Sequence, residues 1–287
     1  MLIFKTVDSV RRWLDIQRAQ GRRIGFAPTM GALHAGHLSL LQAARNDNAC
    51  SVASIFVNPT QFNDPEDLRK YPRTPERDIQ MLIGGGCEAL FMPEVDTVYP
   101  PDFDPGPPLD FGPLASALEG RFRPGHFDGM ATVVRRLLDI VRPDLLYMGL
   151  KDFQQQAIVA EMIRRLNLPT VLRPCPTLRE PDGLAMSSRN ARLSPEMRAA
   201  APAIFAALKH ICGSLGARRA SELRAEATNM IARAGLRPEY VEICDGHTLQ
   251  PVETDAYPDY AVALCAVWAG DVRLIDNLIC SRAKSDL

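Results

Sequence analysis

The sequence predicts an α/β protein in which a parallel β-sheet with crossover helices is followed by a smaller α+β domain. Strand-like apolar runs alternate with helical stretches up to about residue 178, which is the pattern of a parallel sheet. Beyond that point two Ala- and Arg-rich helical patterns precede three strand-like runs, and a Pro-Asp-Gly turn signal lies at 181–183. We therefore expect two domains, at residues 1–178 and 179–287.

The first domain is predicted to contain five strands with helices between them. The strands are short apolar runs at 24–27, 52–57, 89–92, 145–148 and 170–173. Before the fourth strand, apolar residues recur at helical spacing while Arg135 and Arg136 fall off the apolar stripe, which indicates an amphipathic helix. The stripe consists of Met130, Val133, Val134, Leu137, Leu138 and Val141. A second helix is predicted from about 152 to 166.

A proline-rich segment and the C-terminal patterns complete the predicted elements. Seven prolines lie between Pro93 and Pro113, and a segment so rich in proline is not expected to form regular structure. We expect an extended loop there, of a length suited to a lid or a dimer arm. The second domain is predicted to hold helices at 195–212 and 218–234 and strands at 240–244, 261–268 and 272–279.

The composition is that of an ordinary globular protein. Of 287 residues, 46% are hydrophobic and 23% are charged, which excludes a wholly disordered, collagen-like or coiled-coil chain. The 33 basic and 34 acidic residues leave a net charge of −1, so no global field attracts a nucleic-acid backbone. The net charge does not exclude a local basic pocket that binds a small phosphate. We therefore predict no nucleic-acid partner.

The sequence also predicts a cytoplasmic protein without a membrane span. Its longest apolar run, Ala261 to Ala269, is well short of the roughly 18 to 20 residues that cross a bilayer. The N-terminus reaches Asp8, Arg11 and Arg12 too early to contain the apolar region of a secretory signal. Seven cysteines without a C-x-x-C pair are expected to be buried thiols rather than disulfides or zinc ligands.

The segment Pro28-Thr-Met-Gly-Ala-Leu-His-Ala-Gly-His37 carries the strongest functional signal. A predicted strand ends there in a Pro/Gly loop, and a helix begins at about His34. Open α/β sheets bind ligands beyond the carboxyl ends of their strands, where a helix N-terminus offers N–H groups and positive potential to a phosphate. His34 and His37 are three residues apart and share one helix face. The alternatives are two surface histidines, or a two-histidine metal site without an obvious third ligand.

This segment resembles the HxGH signature of the nucleotidyltransferase superfamily, in the form found in the pantothenate synthetase family. Further segments resemble blocks of that family in the same order, and together they span nearly the whole chain. They are 54–62 (SIFVNPTQF), 71–74 (YPRT), 123–127 (RPGHF), 149–155 (GLKDFQQ), 182–190 (DGLAMSSRN) and 273–277 (RLIDN). The resemblance implies a Rossmann-like sheet, a C-terminal domain that closes over a nucleotide, and a homodimer.

The resemblance implies an ATP-dependent ligase of pantothenate and coenzyme A biosynthesis. Pantoate would attack ATP to give pantoyl adenylate and pyrophosphate, and β-alanine would then displace AMP to give pantothenate. A carboxylate with a pKa near ~4 is already ionised at neutral pH, so the first step needs no general base. It needs cationic and N–H donors fixed around the phosphates, because these stabilise the charge that develops there.

The resemblance assigns the ATP site to three parts of the chain. It implies that His37 is the proton donor and that His34 is its phosphate-binding companion. Lys151 would meet the α-phosphate and Asp152 the ribose hydroxyls, although a solvated helix start with Asp152 near the N-cap is the plainer alternative. A counterpart of the KMSKS loop at 186–189 would close over the β- and γ-phosphates, and Leu178 would offer backbone contacts to adenine. The implied ATP-binding residues are Met30, Gly31, Ala32, Leu33, His34, Ala35, Gly36, His37, Gly149, Leu150, Lys151, Asp152, Leu178, Met186, Ser187, Ser188 and Arg189.

The implied pantoate pocket combines neutral polar groups with apolar walls, because pantoate carries a carboxylate, two hydroxyls and a gem-dimethyl carbon. The resemblance assigns Gln61 and Gln155 to pantoate, with Gln61 also near β-alanine. Arg123 would bind an anionic group. Asp78 would belong to the shell of the Mg²⁺ ion that accompanies ATP. The residues implied to shape the pocket are Phe56, Asn58 and Phe62.

Two positions depart from the usual family pattern. Leu150 stands where glutamate is common and Cys175 where valine is common, so any side-chain role of that glutamate is absent here.

The sequence leaves two rival functions to be considered. One rival is another HxGH nucleotidyltransferase, which would not need the pair Gln61 and Gln155. The other is a tRNA-binding module, against which the neutral net charge counts.

Overall fold

A computed structural model describes residues 1–47, 49–62, 65–253 and 257–281 of the chain. The chain forms two compact units. The first consists of residues 1–111, 123–150 and 155–176, and the second of residues 112–122, 151–154 and 177 onward. The last change of unit falls after Pro176. Two short upstream segments, 112–122 and 151–154, also belong to the second unit. The predicted division into 1–178 and 179–287 does not include this exchange of segments.

A parallel sheet forms the first unit and a smaller antiparallel sheet lies in the second, which confirms the predicted fold class. The strands of the first sheet are β1 Leu2–Phe4, β2 Ile24–Thr29, β3 Cys50–Ile55, β4 Ala89–Phe91, β5 Leu145–Gly149 and β6 Val171–Cys175, in the spatial order β1-β4-β3-β2-β5-β6. The four central strands are buried over nearly their whole length, as expected of a parallel sheet covered by helices. The edge strand β1 has three exposed or half-exposed residues, a pattern too short to be predicted from sequence.

The strand order creates a topological switch point between β2 and β5. From β2 the chain proceeds outward through β3 to β4, and it returns to the opposite side of β2 to form β5. Loops that leave the carboxyl ends of these two strands therefore diverge, and open α/β sheets bind ligands in the resulting crevice. Met30 follows the end of β2, and Gly149 ends β5. Two of the segments predicted to bind ATP thus begin at this switch point.

Helices and short 3₁₀ turns connect the strands. In chain order the helices are α1 Val7–Ala19, α2 Ala35–Asn46, α3 Pro65–Lys70, α4 Pro75–Gly84, α5 Val95–Val98, α6 Pro113–Ser116, α7 Glu119–Phe122, α8 His126–Val141, α9 Phe153–Arg165, α10 Pro195–Ala200, α11 Ala203–Ser214 and α12 Ala220–Arg233. The 3₁₀ turns are at 59–61, 150–152 and 188–192. Within the described residues, each helix is too short or too polar to cross a bilayer.

Helix α8 is the amphipathic helix predicted before β5. All the residues of its predicted apolar stripe are buried, whereas Arg135 and Arg136 are only half-buried. The helix begins four residues before the apolar stripe does. Gly125, with a φ of +76°, precedes it, and His126 and Phe127 of its first turn are buried as well.

The proline-rich segment is mostly irregular, but it contains the one-turn helix α5, which the sequence pattern did not predict. Residues 95–98 include no proline, so their backbone N–H groups are available for one helical turn. Two arginines of α8 hold the segment in the first unit. Arg136 Nε donates to the carbonyl of Val98 at 2.9 Å, and Arg135 Nη1 donates to that of Pro105 at 3.1 Å.

The second unit contains an antiparallel sheet of β7 Arg237–Asp245, β8 Ala261–Ala269 and β9 Val272–Ser281, with β8 in the centre. Helices α11 and α12 pack on it through apolar residues such as Leu208, Leu223 and Ile231. The single helix predicted at 195–212 is wrong, because the chain forms the separate helices α10 and α11. Pro202 at the junction has no N–H to continue the first helix.

Five of the seven cysteines are buried free thiols, as predicted: Cys50, Cys87, Cys175, Cys244 and Cys265. Burial raises the pKa of Cys175 to about 11, so it is a neutral thiol at pH 7. It packs in the apolar core of the first unit, where a small apolar residue such as valine would also fit. The prediction is wrong for Cys212 and Cys280, which form a disulfide between α11 and β9.

Candidate active site

A tight loop, Met30 to Leu33, connects β2 to α2. Gly31 and Ala32 both adopt left-handed backbone conformations, with φ of +80° and +48°. Gly31 also has no room for a side chain, because a Cβ atom would lie 3.0 Å from Asp78 Oδ2 and 3.1 Å from Ile55 Cγ2. The course of this loop therefore depends on glycine at position 31.

Asp78 of α4 anchors the same loop. The residue is buried, and its Oδ2 accepts the amide N–H of Ala32 at 2.8 Å. Its Oδ1 accepts the amide N–H of Leu33 at 2.8 Å and the hydroxyl of Thr74 at 3.1 Å. A carboxylate engaged by three protein donors has an anchoring role, and these contacts give no support to the predicted role in a Mg²⁺ shell. In the described part of the chain, no group of three or more His, Cys, Asp or Glu side chains is arranged to hold a metal.

Replacing Asp78 by asparagine is expected to lower the free energy of unfolding by about 1–3 kcal/mol, because the new NH₂ group cannot accept and leaves a loop N–H unpaired. Urea unfolding measures this loss. Asp15→Asn in α1 is the matched control, since this carboxylate is exposed and pairs only with Arg18 among its described ion-pair partners. The control should change stability by less than ~0.5 kcal/mol. Equal losses in the two variants would contradict the anchoring role.

His34 and His37 cap the N-terminus of α2 with their side chains. Nδ1 of His34 accepts the amide N–H of Gly36, and Nδ1 of His37 accepts the amide N–H of His34, both at 3.2 Å. Because each Nδ1 accepts a hydrogen bond, each neutral ring carries its proton on Nε2. The ring centroids are 4.0 Å apart. The pair therefore holds two imidazole N–H donors side by side at a helix N-terminus, an arrangement suited to phosphate oxygens.

Gln61 lies beside the loop that follows β2. Its Nε2 donates to Met30 Sδ at 3.0 Å, and its Oε1 accepts from Asn58 Nδ2 at 3.3 Å. Both Gln61 and Asn58 are buried. The first unit thus brings together Met30 and Gln61, which are predicted from the resemblance to bind ATP and pantoate.

Two residues without a role predicted from the sequence support this arrangement. His126 Nδ1 donates to the carbonyl of Gln61 at 2.8 Å, which leaves Nε2 to accept from Arg123 Nη1 at 3.3 Å. The Tyr99 hydroxyl donates to Asn58 Oδ1 at 3.0 Å, and burial raises the pKa of Tyr99, which keeps it protonated. The histidine in the 123–127 segment was a usable sequence signal. Tyr99, within the proline-rich loop, offered none.

Other predicted residues of the first unit lie near the same sheet edge or along α9. Gly149 ends β5 and Leu150 begins the 3₁₀ turn that follows it. A Cβ atom at Gly149 would meet no described atom within 4 Å, so packing does not require glycine there. Gln155 lies in α9 and is half-buried. Phe56 is buried.

Lys151 and Asp152 belong to the second unit and directly precede α9. Lys151 Nζ lies 3.5 Å from Asp152 Oδ1. The lysine side chain is only 18% exposed, whereas the aspartate side chain is 47% exposed. A solvated helix start accounts for the aspartate, whereas the lysine is more buried than most lysines, which lie mainly on the surface.

The predicted loop over the phosphates follows a small hairpin in the second unit. The amide N–H of Met186 donates to the carbonyl of Leu178 at 3.0 Å, which closes the hairpin. Ser187 then caps the 3₁₀ turn at 188–192, and its Oγ accepts the amide N–H of Arg189 at 3.3 Å. A serine hydroxyl that accepts one hydrogen bond can still donate one to a ligand.

Residues 2–279 match the model of a protein family described as pantoate-beta-alanine ligase. The chain belongs to the pantoate–β-alanine ligase family. Its membership confirms the resemblance seen in the motifs and identifies the protein as a ligase that joins pantoate to β-alanine. The rival interpretations, another HxGH nucleotidyltransferase and a tRNA-binding module, are excluded by this match over nearly the whole chain.

Relatives and solved structures of the family align with this chain over nearly its whole length. Pantothenate synthetase of Porphyromonas gingivalis strain W83 is 46% identical over 284 residues, which cover 97% of this chain and 99% of the relative. That of Pseudomonas putida strain GB-1 is 45% identical over 276 residues, 96% of each chain. The crystal structure of pantothenate synthetase from Thermus thermophilus aligns with a TM-score of 0.91 at 40% identity, covering 98% of this chain and 100% of that one. The ligase from Francisella tularensis, complexed with beta-gamma ATP and beta-alanine, aligns with a TM-score of 0.78 at 35% identity over 97% of each chain.

Proposed function

We propose that this ligase works through pantoyl adenylate. A carboxylate oxygen of pantoate attacks the α-phosphorus of ATP, and the bond to the bridging oxygen breaks to release pyrophosphate. The amine of β-alanine then attacks the acyl carbon, loses a proton and displaces AMP, which leaves pantothenate. The relative complexed with beta-gamma ATP and beta-alanine supports the choice of these two substrates.

The observation that carries this proposal is the histidine pair at the N-terminus of α2. The capping contacts of both Nδ1 atoms keep the Nε2 atoms protonated, so His34 and His37 act as hydrogen-bond donors without first taking up a proton. Donors of this kind stabilise the negative charge that moves onto the bridging oxygen and the α-phosphate. We assign His37 as the proton donor of this hydrogen bond, with the proton staying on Nε2, and His34 as its phosphate-binding companion.

The loop at 30–33 wraps the nucleotide on the histidine side, with Gly149 and Leu150 contributing backbone at the end of β5. In the second unit, Lys151 binds the α-phosphate and Asp152 accepts hydrogen bonds from the ribose hydroxyls. Leu178 provides backbone contacts to adenine. The donors proposed for the β- and γ-phosphates lie in the segment Met186 to Arg189.

Gln61 and Gln155 are proposed to bind pantoate, with Gln61 also close to β-alanine. The contacts of Gln61 with Asn58 and Met30 hold its amide group in one orientation. A fixed neutral amide can bind a hydroxyl or a carboxylate oxygen without the desolvation cost of a second charge.

Magnesium would accompany ATP in this reaction, since a small hard cation bridges phosphate oxygens and neutralises their charge. The contacts of Asp78 leave it poorly suited as a ligand, so we propose that phosphate oxygens and water supply most of the coordination. We further propose that the enzyme is a cytoplasmic homodimer and that it does not bind nucleic acid. The net charge of −1 supports the last point.

A pyrophosphate-release assay tests the proposed route. ATP, Mg²⁺ and pantoate are mixed with the enzyme, with and without β-alanine. We expect pyrophosphate to form in both mixtures. Without β-alanine, its amount should be close to the amount of enzyme. With β-alanine, its release should be continuous. Release that depends strictly on β-alanine from the first turnover would contradict an adenylate that forms first.

Gln155→Ala is expected to raise the KM for pantoate by ~10-fold or more while the KM for ATP changes less than ~2-fold, because the lost amide contacts only the acid. Initial rates at varied pantoate and varied ATP measure both constants. Gln42→Ala is the control, since this glutamine contacts Asn46 on the outer face of α2. Equal effects on the two KM values would remove Gln155 from the pantoate pocket.

A further inference from the structure

The segment Arg273 to Asn277 of β9 resembles a family block, yet the proposed reaction gives it no role. Its polar side chains are largely buried in the second unit. Asp276 and Asn277 are each 5% exposed, and the Arg273 side chain is 16% exposed. Burying polar groups is costly unless they are hydrogen-bonded, so their partners indicate what the segment does.

Asn277 contacts the backbone of Lys151 directly. Its Nδ2 donates to the carbonyl oxygen of Lys151 at 2.8 Å. The amide N–H of Asn277 donates to Asp276 Oδ1, also at 2.8 Å, which holds that carboxylate against its own strand. Strand β9 therefore holds the backbone carbonyl of Lys151, the residue that carries the lysine side chain.

Asp276 binds Arg179, which lies next to Leu178 in the hairpin that leads to Ser187. Arg179 donates to the two carboxylate oxygens of Asp276 at 2.6 and 3.0 Å, and to the carbonyl of Asn277 at 3.1 Å. A bidentate pair of this kind fixes orientation as well as distance. The hairpin is thus tied to the same two residues of β9.

Arg273 reaches the other end of the 151–154 segment through Glu119. It donates to both carboxylate oxygens of Glu119, at 2.6 and 2.9 Å. The Tyr240 hydroxyl donates to this carboxylate at 2.8 Å, and burial raises the pKa of Tyr240 well above its ordinary value, so it stays a donor. Gln154 Oε1 accepts the amide N–H of Glu119 at 3.0 Å. Strand β9 therefore holds both ends of the segment.

We propose that Asn277 is a positioning residue that places the Lys151 ammonium by holding the peptide group of that residue. This inference rests on the proposed role of Lys151. A lysine side chain is a flexible stem, so its ammonium is well placed only if its backbone is held, and a misplacement of ~1 Å can cost ~10²-fold in rate. Because other contacts also hold the segment, we expect a smaller loss when Asn277 is replaced.

A double-mutant cycle on the full chain tests this role. Asn277→Ala is expected to lower the kcat of pyrophosphate release ~10-fold while the KM for pantoate changes less than ~2-fold. In the Lys151→Met background, the same substitution should change kcat less than ~2-fold, because the ammonium that it positions is gone. A ~10-fold loss in both backgrounds, or no loss in the single variant, would overturn the proposal. Normal turnover of Lys151→Met alone would refute the role of Lys151 instead.

Hydrogen exchange gives a readout that does not depend on activity. Peptides that cover 151–154 should exchange faster in Asn277→Ala than in the unsubstituted enzyme, and unchanged exchange there would contradict the proposal. Arg224→Met is the matched control, since it breaks the 2.9 Å ion pair with Glu242 in the same unit. It should leave both kcat and this exchange unchanged. Asn277→Ser, whose side chain is too short to reach the carbonyl, replaces the alanine variant if that variant does not fold.

Discussion

Replacing His37 by alanine is expected to lower the kcat of adenylation by on the order of 10² to 10³, which is about 3 to 4 kcal/mol of transition-state stabilisation. His37 Nδ1 accepts the amide N–H of His34, so Nε2 carries the proton proposed to meet the phosphates. Alanine removes that donor and the cap together. The measurement is the initial rate of pyrophosphate release at saturating ATP, Mg²⁺, pantoate and β-alanine, since release is continuous only when β-alanine is present.

His37→Asn separates the donor from the cap. The asparagine Oδ1 can accept the same backbone N–H, whereas no atom takes the place of Nε2. We expect this variant to unfold at nearly the same urea concentration as the unsubstituted enzyme and still to lose most of its rate. His210→Ala, which removes an imidazole that contacts Glu226 in the second unit, should keep the full rate. Near-normal turnover of both His37 variants would refute the donor role.

Lys151→Met is expected to lower the same kcat by ~10²-fold, or about 2.7 kcal/mol. Methionine keeps an unbranched side chain and removes only the positive charge that we propose stabilises the α-phosphate. The side chain of Lys151 is 18% exposed, so its charge is screened by water less than that of a surface lysine. Because the charge develops in the transition state, the KM for ATP should change less than kcat.

Lys209→Met is the matched control for this loss of charge. Its ammonium lies 5.0 Å from the centroid of the Phe205 ring in the same unit, and no role in binding ATP is proposed for it. We expect its kcat to stay within ~2-fold of the unsubstituted enzyme. A Lys151→Met variant that raised the KM for ATP at unchanged kcat would show uniform binding rather than transition-state stabilisation.

Much of the fold could be predicted because its signals are local. The buried strands and the stripe of α8 follow from the periodicity of neighbouring residues, and the structure confirms them. The predictions that were wrong involve other causes. Pro202 divides a helix that the apolar pattern alone joins, and the Cys212–Cys280 disulfide links residues 68 positions apart.

The candidate site shows the same division. The spacing of His34 and His37 and the turn at Gly31 are local signals, and they suffice to indicate a phosphate-binding helix start. The anchoring role of Asp78 could not be predicted, because its carboxylate meets Ala32 only after α4 packs beside the loop. The contact of Asn277 with Lys151 crosses 126 residues and leaves no local pattern.

The order of residues along the chain thus establishes the local elements, the family and the kinds of hydrogen-bond donor that are present. Packing of distant segments establishes which atom of each residue can act: which nitrogen of His126 is protonated, and whether a carboxylate holds a loop or faces a ligand. The reason is physical. Protonation and hydrogen bonding respond to distance and burial, and these arise when segments 46, 65 or 126 residues apart come into contact.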